Sequence, residues 1–310
     1  MENITVQRVN EITAGAEFSD LRARFIAFLD ATPRTVDTYN RALRSFIRFL
    51  SDQNITAPTR DTIKDYKEFL LQEHKANTVR LYIVAVRLFF SWLEQEHIYS
   101  NIAEHIKGVK VPTGHKRDYL SAEQLRGILK SIDRTTPQGR RDYSMFLLMT
   151  CNGLRDVEVA RADVKDLQTL GGKSVLMVQG KGHSDKDTSV NISPEVEQAI
   201  RESLRDRKNA SGSAPLFCSM SNNSNGKRLS TRSVSGIIKG ILKESGYNSD
   251  RLTAHSLRHS AVTIALQSGN SIQAVSQFAR HANISTTMIY SHELDRVENI
   301  CNSTITRAVL

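Results

Sequence analysis

The chain has 310 residues, enough for one large domain or two ordinary ones, and 39% hydrophobic with 24% charged residues excludes wholesale disorder. Its 42 Lys and Arg against 33 Asp and Glu leave a formal charge of +9, a balance that favours a polyanionic partner because each neutralised phosphate releases counterions. Cys151, Cys218 and Cys301 stand far apart with no C-x-x-C pair, arguing against a zinc site or disulfide framework, and neither an 18-residue apolar window nor a signal-peptide profile is present. The expectation is a reduced, cytoplasmic protein associated with the nucleoid and not with membranes.

Residues 17–30 space Phe18, Leu21, Phe25 and Phe28/Leu29 three and four apart, a one-sided stripe that predicts a helix. Thr35 is placed to cap a second helix carrying Tyr39, Leu43, Phe46, Ile47 and Leu50. A third runs through Ile63, Tyr66, Phe69 and Leu70; a fourth, after Asn77, through Val79, Tyr82, Val86, Phe89, Phe90 and Leu93. Short connections force these helices onto one another, giving a compact helical domain over 17–105 behind an N-terminal extension, 1–16. The aromatics read as core, not as base-stacking residues. Residues 106–117 (IKGVKVPTGHKR) hold four basic residues and no acid. They read as an extended linker whose Lys107, Lys110, Lys116 and Arg117 follow a phosphate backbone, or else as a solvated hinge.

A second domain follows over 118–292. Ser121 is placed to cap its first helix, and a largely apolar helix around 139–151 is central. Two β-prone runs, Ser174–Gln179 and Thr188–Ser193, flank a polar turn from Gly180 to Asp187 and predict a hairpin. Residues 194–208 return to helix, 209–230 form a long mobile loop rich in Ser, Asn and Gly, and helices fill the rest.

In 252–268, Leu257, Ala261 and Ile264 mark a buried stripe, with His255, Arg258 and His259 together on the opposite side. Taken singly, each polar feature has an ordinary reading. The H-x-x-R-H spacing suits a solvated helix face, and Arg155 with Glu158 suits a weak i,i+3 ion pair. Lys181 suits a turn lysine, and Tyr290 a core residue near a helix end.

Their order is more specific. Gly153-Leu154-Arg155 with Glu158, Lys181 in a G-K-G turn, His255-x-x-Arg258-His259, and His281 nine residues before Tyr290 together resemble the tyrosine recombinase (phage integrase) family in its two-domain, Xer-like layout. The run from Ile284 to Tyr290 (ISTTMIY) is especially similar; the resemblance spans 17–310 and is generic in the first third. It implies a mainly α fold with a small β-hairpin sheet (α+β), made of a helical, SAM-like core-binding domain and a catalytic domain. Tyr290 would then be the nucleophile toward a DNA phosphate, with Arg155 and Arg258 clamping its oxygens. Lys181 would be the general acid, His255 and His281 would assist, and Glu158 and His259 would support. No metal and no cofactor is implied. The partners implied are double-stranded recombination sites, a homotetramer assembled on DNA through the tail 293–310, and an accessory directionality protein.

The sequence departs from the family pattern in places. Cys151-Asn152 precede Gly153, Ala279-Arg280-His281 stands where Leu-Gly-His is common, and Lys186 is a minor rival to Lys181. The tail carries Leu294, Val297, Ile300 and Ile305, an apolar set expected to dock on a neighbouring subunit or back on its own domain. The expected layout is two-domain, without an additional arm-binding domain. A strand-nicking topoisomerase of type IB, a non-catalytic DNA-binding regulator on the same scaffold, and a helix-turn-helix factor are the alternatives; the last explains neither Lys181 nor the Tyr290 segment.

Overall fold

The computed structural model describes residues 16–110, 118–180, 185–205, 207, 210–297 and 305–307, and the chain divides between residues 113 and 114 into two compact units. The first holds α1 (Ala16–Phe28), α2 (Pro33–Asp52), α3 (Arg60–Glu73) and α4 (Ala76–Gln95). The second helix begins earlier than Thr35. Pro33 occupies its first turn and the Thr32 hydroxyl accepts from the Thr35 N–H at 3.3 Å, since proline's fixed φ and missing N–H suit a helix start. Phe18, Phe25, Phe46, Tyr66, Phe89 and Phe90 are fully buried in one core, so the aromatic pattern is a packing pattern. Phe28 and Phe69 are exceptions: Phe28, 56% exposed, lies over Trp92 at 6.2 Å between ring centres, and Phe69 is exposed beside Phe49 at 5.3 Å. Ile106 is buried and Val109 packs against the same core. The first residues of the expected linker are therefore anchored, with Lys107 exposed between the anchors and Lys110 exposed just after them, while Lys116 and Arg117 lie outside the described residues.

The second unit opens with α5 (Ala122–Ser131), where Ser121 and Gln124 close a reciprocal capping box: the hydroxyl accepts from Gln124 N at 3.2 Å and the amide oxygen from Ser121 N at 2.8 Å. Next come α6 (Pro137–Cys151) and α7 (Asp156–Arg161). Strands β1 (Leu167–Leu170), β2 (Lys173–Val178) and β3 (Thr188–Asn191) form an antiparallel sheet in the order β1-β2-β3. The expected hairpin is β2–β3; β1 is an addition. It pairs Leu170 with Lys173 across Gly171-Gly172, both at positive φ (56° and 76°), as a two-residue turn between right-twisted strands requires. Three of its four residues are exposed, which is why no alternating pattern announced it.

Helices α8 (Pro194–Leu204), α9 (Thr231–Glu244), α10 (Ala254–Gln267), α11 (Ile272–Ala279) and α12 (Ser285–Val297) complete the unit. Within it α6 packs on α8 and α10, as its apolar composition predicts, burying Met145, Phe146, Leu148 and Met149. Truncating Phe146 to Ala would cost about 3–5 kcal/mol. The loop expected to be mobile is tied down between 210 and 230. Leu216 and Phe217 are buried in the main core, Cys218 bridges Arg228, and Arg228 donates to the Ala160 and Ala162 carbonyls at 3.1 and 3.0 Å. Its Ser- and Asn-rich composition hid two apolar anchors. Among the described residues no helix is long and apolar enough to cross a membrane.

Candidate active site

Four separate stretches of the second unit bring polar groups to one place: the turn 152–158, helix α10, the turn after α11, and α12. Asn152-Gly153 ends α6. Gly153 sits at φ 58°, where a side chain is strained, and an added β-carbon would lie 3.2 Å from the Phe278 ring. That turn aims Arg155, which stands immediately before α7. Glu158, one turn on and 1% exposed, accepts from Arg155 N at 2.9 Å and from its Nη1 at 2.7 Å. The i,i+3 pair is therefore a buried cap and not a surface pair of small worth.

Helix α10 differs from its expected amphipathic form. Leu257 and Ala261 are buried, but so are Arg258 (2% exposed) and His259 (1%), while His255 is exposed in the first turn. A helix packed by α6, α9, α11 and α12 has little free face, so its polar residues are buried with partners. Arg258 donates through Nη1 to the Gly153 carbonyl at 2.5 Å and through Nη2 to the Ala279 carbonyl. His259 Nδ1 lies 3.4 Å from the Thr263 hydroxyl, and its ring stacks parallel to Tyr119 at 6.0 Å.

His281 follows α11 in a half-buried turn, its Nδ1 2.8 Å from the Thr287 hydroxyl of α12. Tyr290, on α12, is 4% exposed; its ring meets His259 edge-on at 4.5 Å and lies 6.3 Å from His281. Arg155, Glu158, Arg258, His259, His281 and Tyr290 are thus gathered in one region, with His255 at the mouth of the same helix.

Lys181 lies outside the described residues. Its rival Lys186 donates to Asp163 at 2.6 Å and also to Asp166, and Asp163 is shared with Arg228. The charge of Lys186 is committed at the base of the hairpin. Of the tail, Ile305 is exposed at 59% and most of the remainder lies outside the described residues.

One residue of the site, Arg280, departs from the family pattern. Arg280 caps α11 in the left-handed conformation (φ 53°, ψ 47°), which costs a non-glycine residue about 1–2 kcal/mol. Its guanidinium returns into the site: Nη2 donates to Glu158 at 2.9 Å and to the Gly153 carbonyl at 3.0 Å, and Nη1 to the Phe278 carbonyl at 2.9 Å. The Arg280 carbonyl accepts in turn from Arg155 Nη2 at 3.2 Å. The available signal was a side chain of the wrong type beside His281, with an acid at Glu158 to receive it.

The electrostatics follow from this crowding. Burial, then the charges of Arg155 and Arg280, push Arg258 down to about 9. Burial, then Arg258, Arg155, Arg280 and His255, push His281 down to about 4. Burial alone would raise Glu158, but Arg280 and Arg155 outweigh it and hold the carboxyl below its usual range. Among the described residues, three guanidiniums share this one carboxylate, with backbone carbonyls supplying only partial negative charge. The cluster is short of an anion, and an oxyanion entering it would relieve each of these penalties.

The fold is that of site-specific recombinases. A structure of the XerH site-specific recombinase bound to palindromic difH substrate aligns with a TM-score of 0.70 at 23% identity, covering 86% of this chain and 79% of that one. In sequence, the phage integrase family pattern matches residues 118–296 and the phage integrase N-terminal SAM-like domain matches 24–97, so the chain belongs to the phage integrase family, the tyrosine recombinases. Tyrosine recombinase XerD of Listeria monocytogenes serotype 4b (strain F2365) is 29% identical over 294 residues, 88% of this chain and 94% of that protein. Tyrosine recombinase XerC of Actinobacillus pleuropneumoniae serotype 7 (strain AP76) is 31% identical over 269 residues, 84% of each.

Proposed function

We propose that this protein cleaves and rejoins duplex DNA at specific sites, exchanging strands through a 3′-phosphotyrosyl bond on Tyr290 and a Holliday junction. The observation that carries the reading is the anion-short cluster of Arg155, Arg258 and Arg280 in the same buried region as Tyr290 and His281. The Tyr290 oxygen attacks the scissile phosphorus, the bond to the 5′-oxygen breaks, and the bond energy is kept in the phosphotyrosine, so a free 5′-hydroxyl can reverse the step on either strand. Arg155 and Arg258 hold the non-bridging oxygens, whose negative charge grows in the transition state. His281 donates to the phosphate and His255 takes up the tyrosine proton. Lys181 protonates the leaving 5′-oxygen. Glu158 orients Arg155, and His259 supports the Tyr290 ring.

Duplex recombination sites are the partner, gripped by the helical domain over 17–105, the basic linker 106–117 and the catalytic domain 118–292. In this reading four protomers assemble on two sites, each tail 293–310 docking on its neighbour, with an accessory protein setting direction and the complex residing on cytoplasmic DNA.

The test is a set of nicked suicide duplexes tiled across the DNA flanking the gene, incubated in EDTA with wild-type and Tyr290→Phe protein. A covalent protein–DNA band on a denaturing gel with wild type alone is expected. Native mobility shifts with both proteins and adducts with neither would overturn the reading in favour of a non-catalytic regulator.

A further inference from the structure

In the site just described, Arg280 is the one guanidinium with no assigned task. It is also held in a backbone conformation that favours glycine, and its side chain is 12% exposed. Its bonds form a closed circuit. The Arg280 side chain runs from the turn after α11 to Glu158 and to the Gly153 carbonyl; the Arg155 side chain runs back from Glu158 to the Arg280 carbonyl. Arg258 joins the circuit at two points, the same Gly153 carbonyl and the carbonyl of Ala279. The two turns that fix Arg155, Arg258 and His281 are thus laced together by one further residue.

We propose that Arg280 is a positioning residue for strand cleavage: it locks the Gly153–Glu158 turn to the 279–281 turn, so that Arg155, Arg258 and His281 meet the scissile phosphate in one fixed frame. A glycine at 280 would relieve the left-handed backbone but remove the Arg280 tie, leaving the hydrogen bonds of Arg155 and Arg258 to join the two turns. A lysine would keep a charge but could not donate from two nitrogens to a carboxylate and two carbonyls at once. The inference rests on the proposed cleavage chemistry at Tyr290. It adds that the rate of that step depends on a residue that does not touch the phosphate.

The groups facing His281 are Arg258 and His255 of α10, Arg155 before α7, the adjacent Arg280, and Thr287 and Tyr290 of α12. Removing Arg280 takes one positive charge from that set, so the His281 imidazole should titrate higher than its present value of about 4.

The experiment uses the full chain on a nicked suicide duplex, comparing wild type, R280G, R280K, E158Q and R280G/E158Q. Each is followed by mobility shift, by the rate of adduct formation, by melting, and by histidine NMR titration assigned with H281Q. R280G should bind DNA within about twofold of wild type, form adduct roughly 10- to 100-fold more slowly, and show His281 titrating above its wild-type value. R280K should recover only part of the rate. In the E158Q background the effect of R280G should shrink to under about threefold, because both changes cut the same tie. A wild-type adduct rate in R280G, or an undiminished effect in E158Q, would overturn the inference while leaving recombination at Tyr290 standing. Should R280G fail to fold, R280K carries the test, and a wild-type rate in that folded variant would overturn it equally. No adduct with the wild-type protein brings down the cleavage reading and the inference with it.

Discussion

Replacing Glu158 by glutamine preserves shape and removes one negative charge. In the native protein that carboxylate is 1% exposed, accepts from Arg155 N and Nη1 at 2.9 and 2.7 Å, and receives Arg280 Nη2 at 2.9 Å. Removing one partner of a buried ion pair costs about 3–5 kcal/mol, because the other charges stay buried without compensation. The retained amide oxygen recovers about 1 kcal/mol of hydrogen bonding, leaving a net loss of about 2–4 kcal/mol. In a unit of this size each kcal/mol moves Tm by about 2–4 °C, so Glu158→Gln should melt roughly 4–16 °C below wild type at pH 7. The sign with pH is fixed as well. A carboxyl held below its usual range contributes stability that is present above the unfolded value of about 4.3 and is lost as pH falls through the lower folded value. The melting curves of the two proteins should therefore converge in acid. Calorimetry from pH 7 downward reads both effects, and a Tm within about 1 °C of wild type at pH 7 would refute the reasoning.

The His281 imidazole, lowered to about 4 from 6.5, gives a second pH signature. Between those values the unfolded chain binds the proton and the native one does not, so native stability should fall as pH drops through that window, by about 1–2 kcal/mol once the half-exposure of the ring is discounted. His281→Gln should flatten that part of a stability-versus-pH curve; an unchanged slope counts against the depressed value. Gly153→Ala places a β-carbon at φ 58° and 3.2 Å from Phe278, and should cost about 1–2 kcal/mol or more in denaturant titration while slowing adduct formation through the Arg258 acceptor. Lys186→Met leaves the Asp163 and Asp166 carboxylates short of a cation and should destabilise the second unit by about 2–3 kcal/mol. Full stability in that variant would show the ion network to be idle.

Much of the site could be read from residue order. Arg155, Glu158, Arg258, His259, His281 and Tyr290 converge although the chain separates the first from the last by most of the second unit. What periodicity misjudged was their surroundings. A helix with His255, Arg258 and His259 opposite its apolar stripe looks half-solvated, yet α10 is packed by other helices and of these three residues only His255 reaches solvent. Hydrophobic patterning records which residues avoid water, and cannot show that backbone carbonyls such as Gly153 and Ala279 wait across the core to receive a guanidinium. Arg280 was visible as an odd neighbour of His281, but its role depends on a left-handed turn that returns the side chain to Glu158, a tertiary fact. The third strand had a local cue, Gly171-Gly172, which a search for alternating apolar residues passes over. The loop at 210–230 hid its anchors in the same way, behind a polar majority around Leu216 and Phe217.

The most direct measurement is mass spectrometry of the protease-digested covalent complex formed on a suicide duplex. Recombination at Tyr290 predicts one modified peptide, containing Tyr290 and carrying a nucleotide through its 3′-phosphate, and none from the Tyr290→Phe protein. A nucleotide on any other residue, or an adduct that survives Tyr290→Phe, would contradict it.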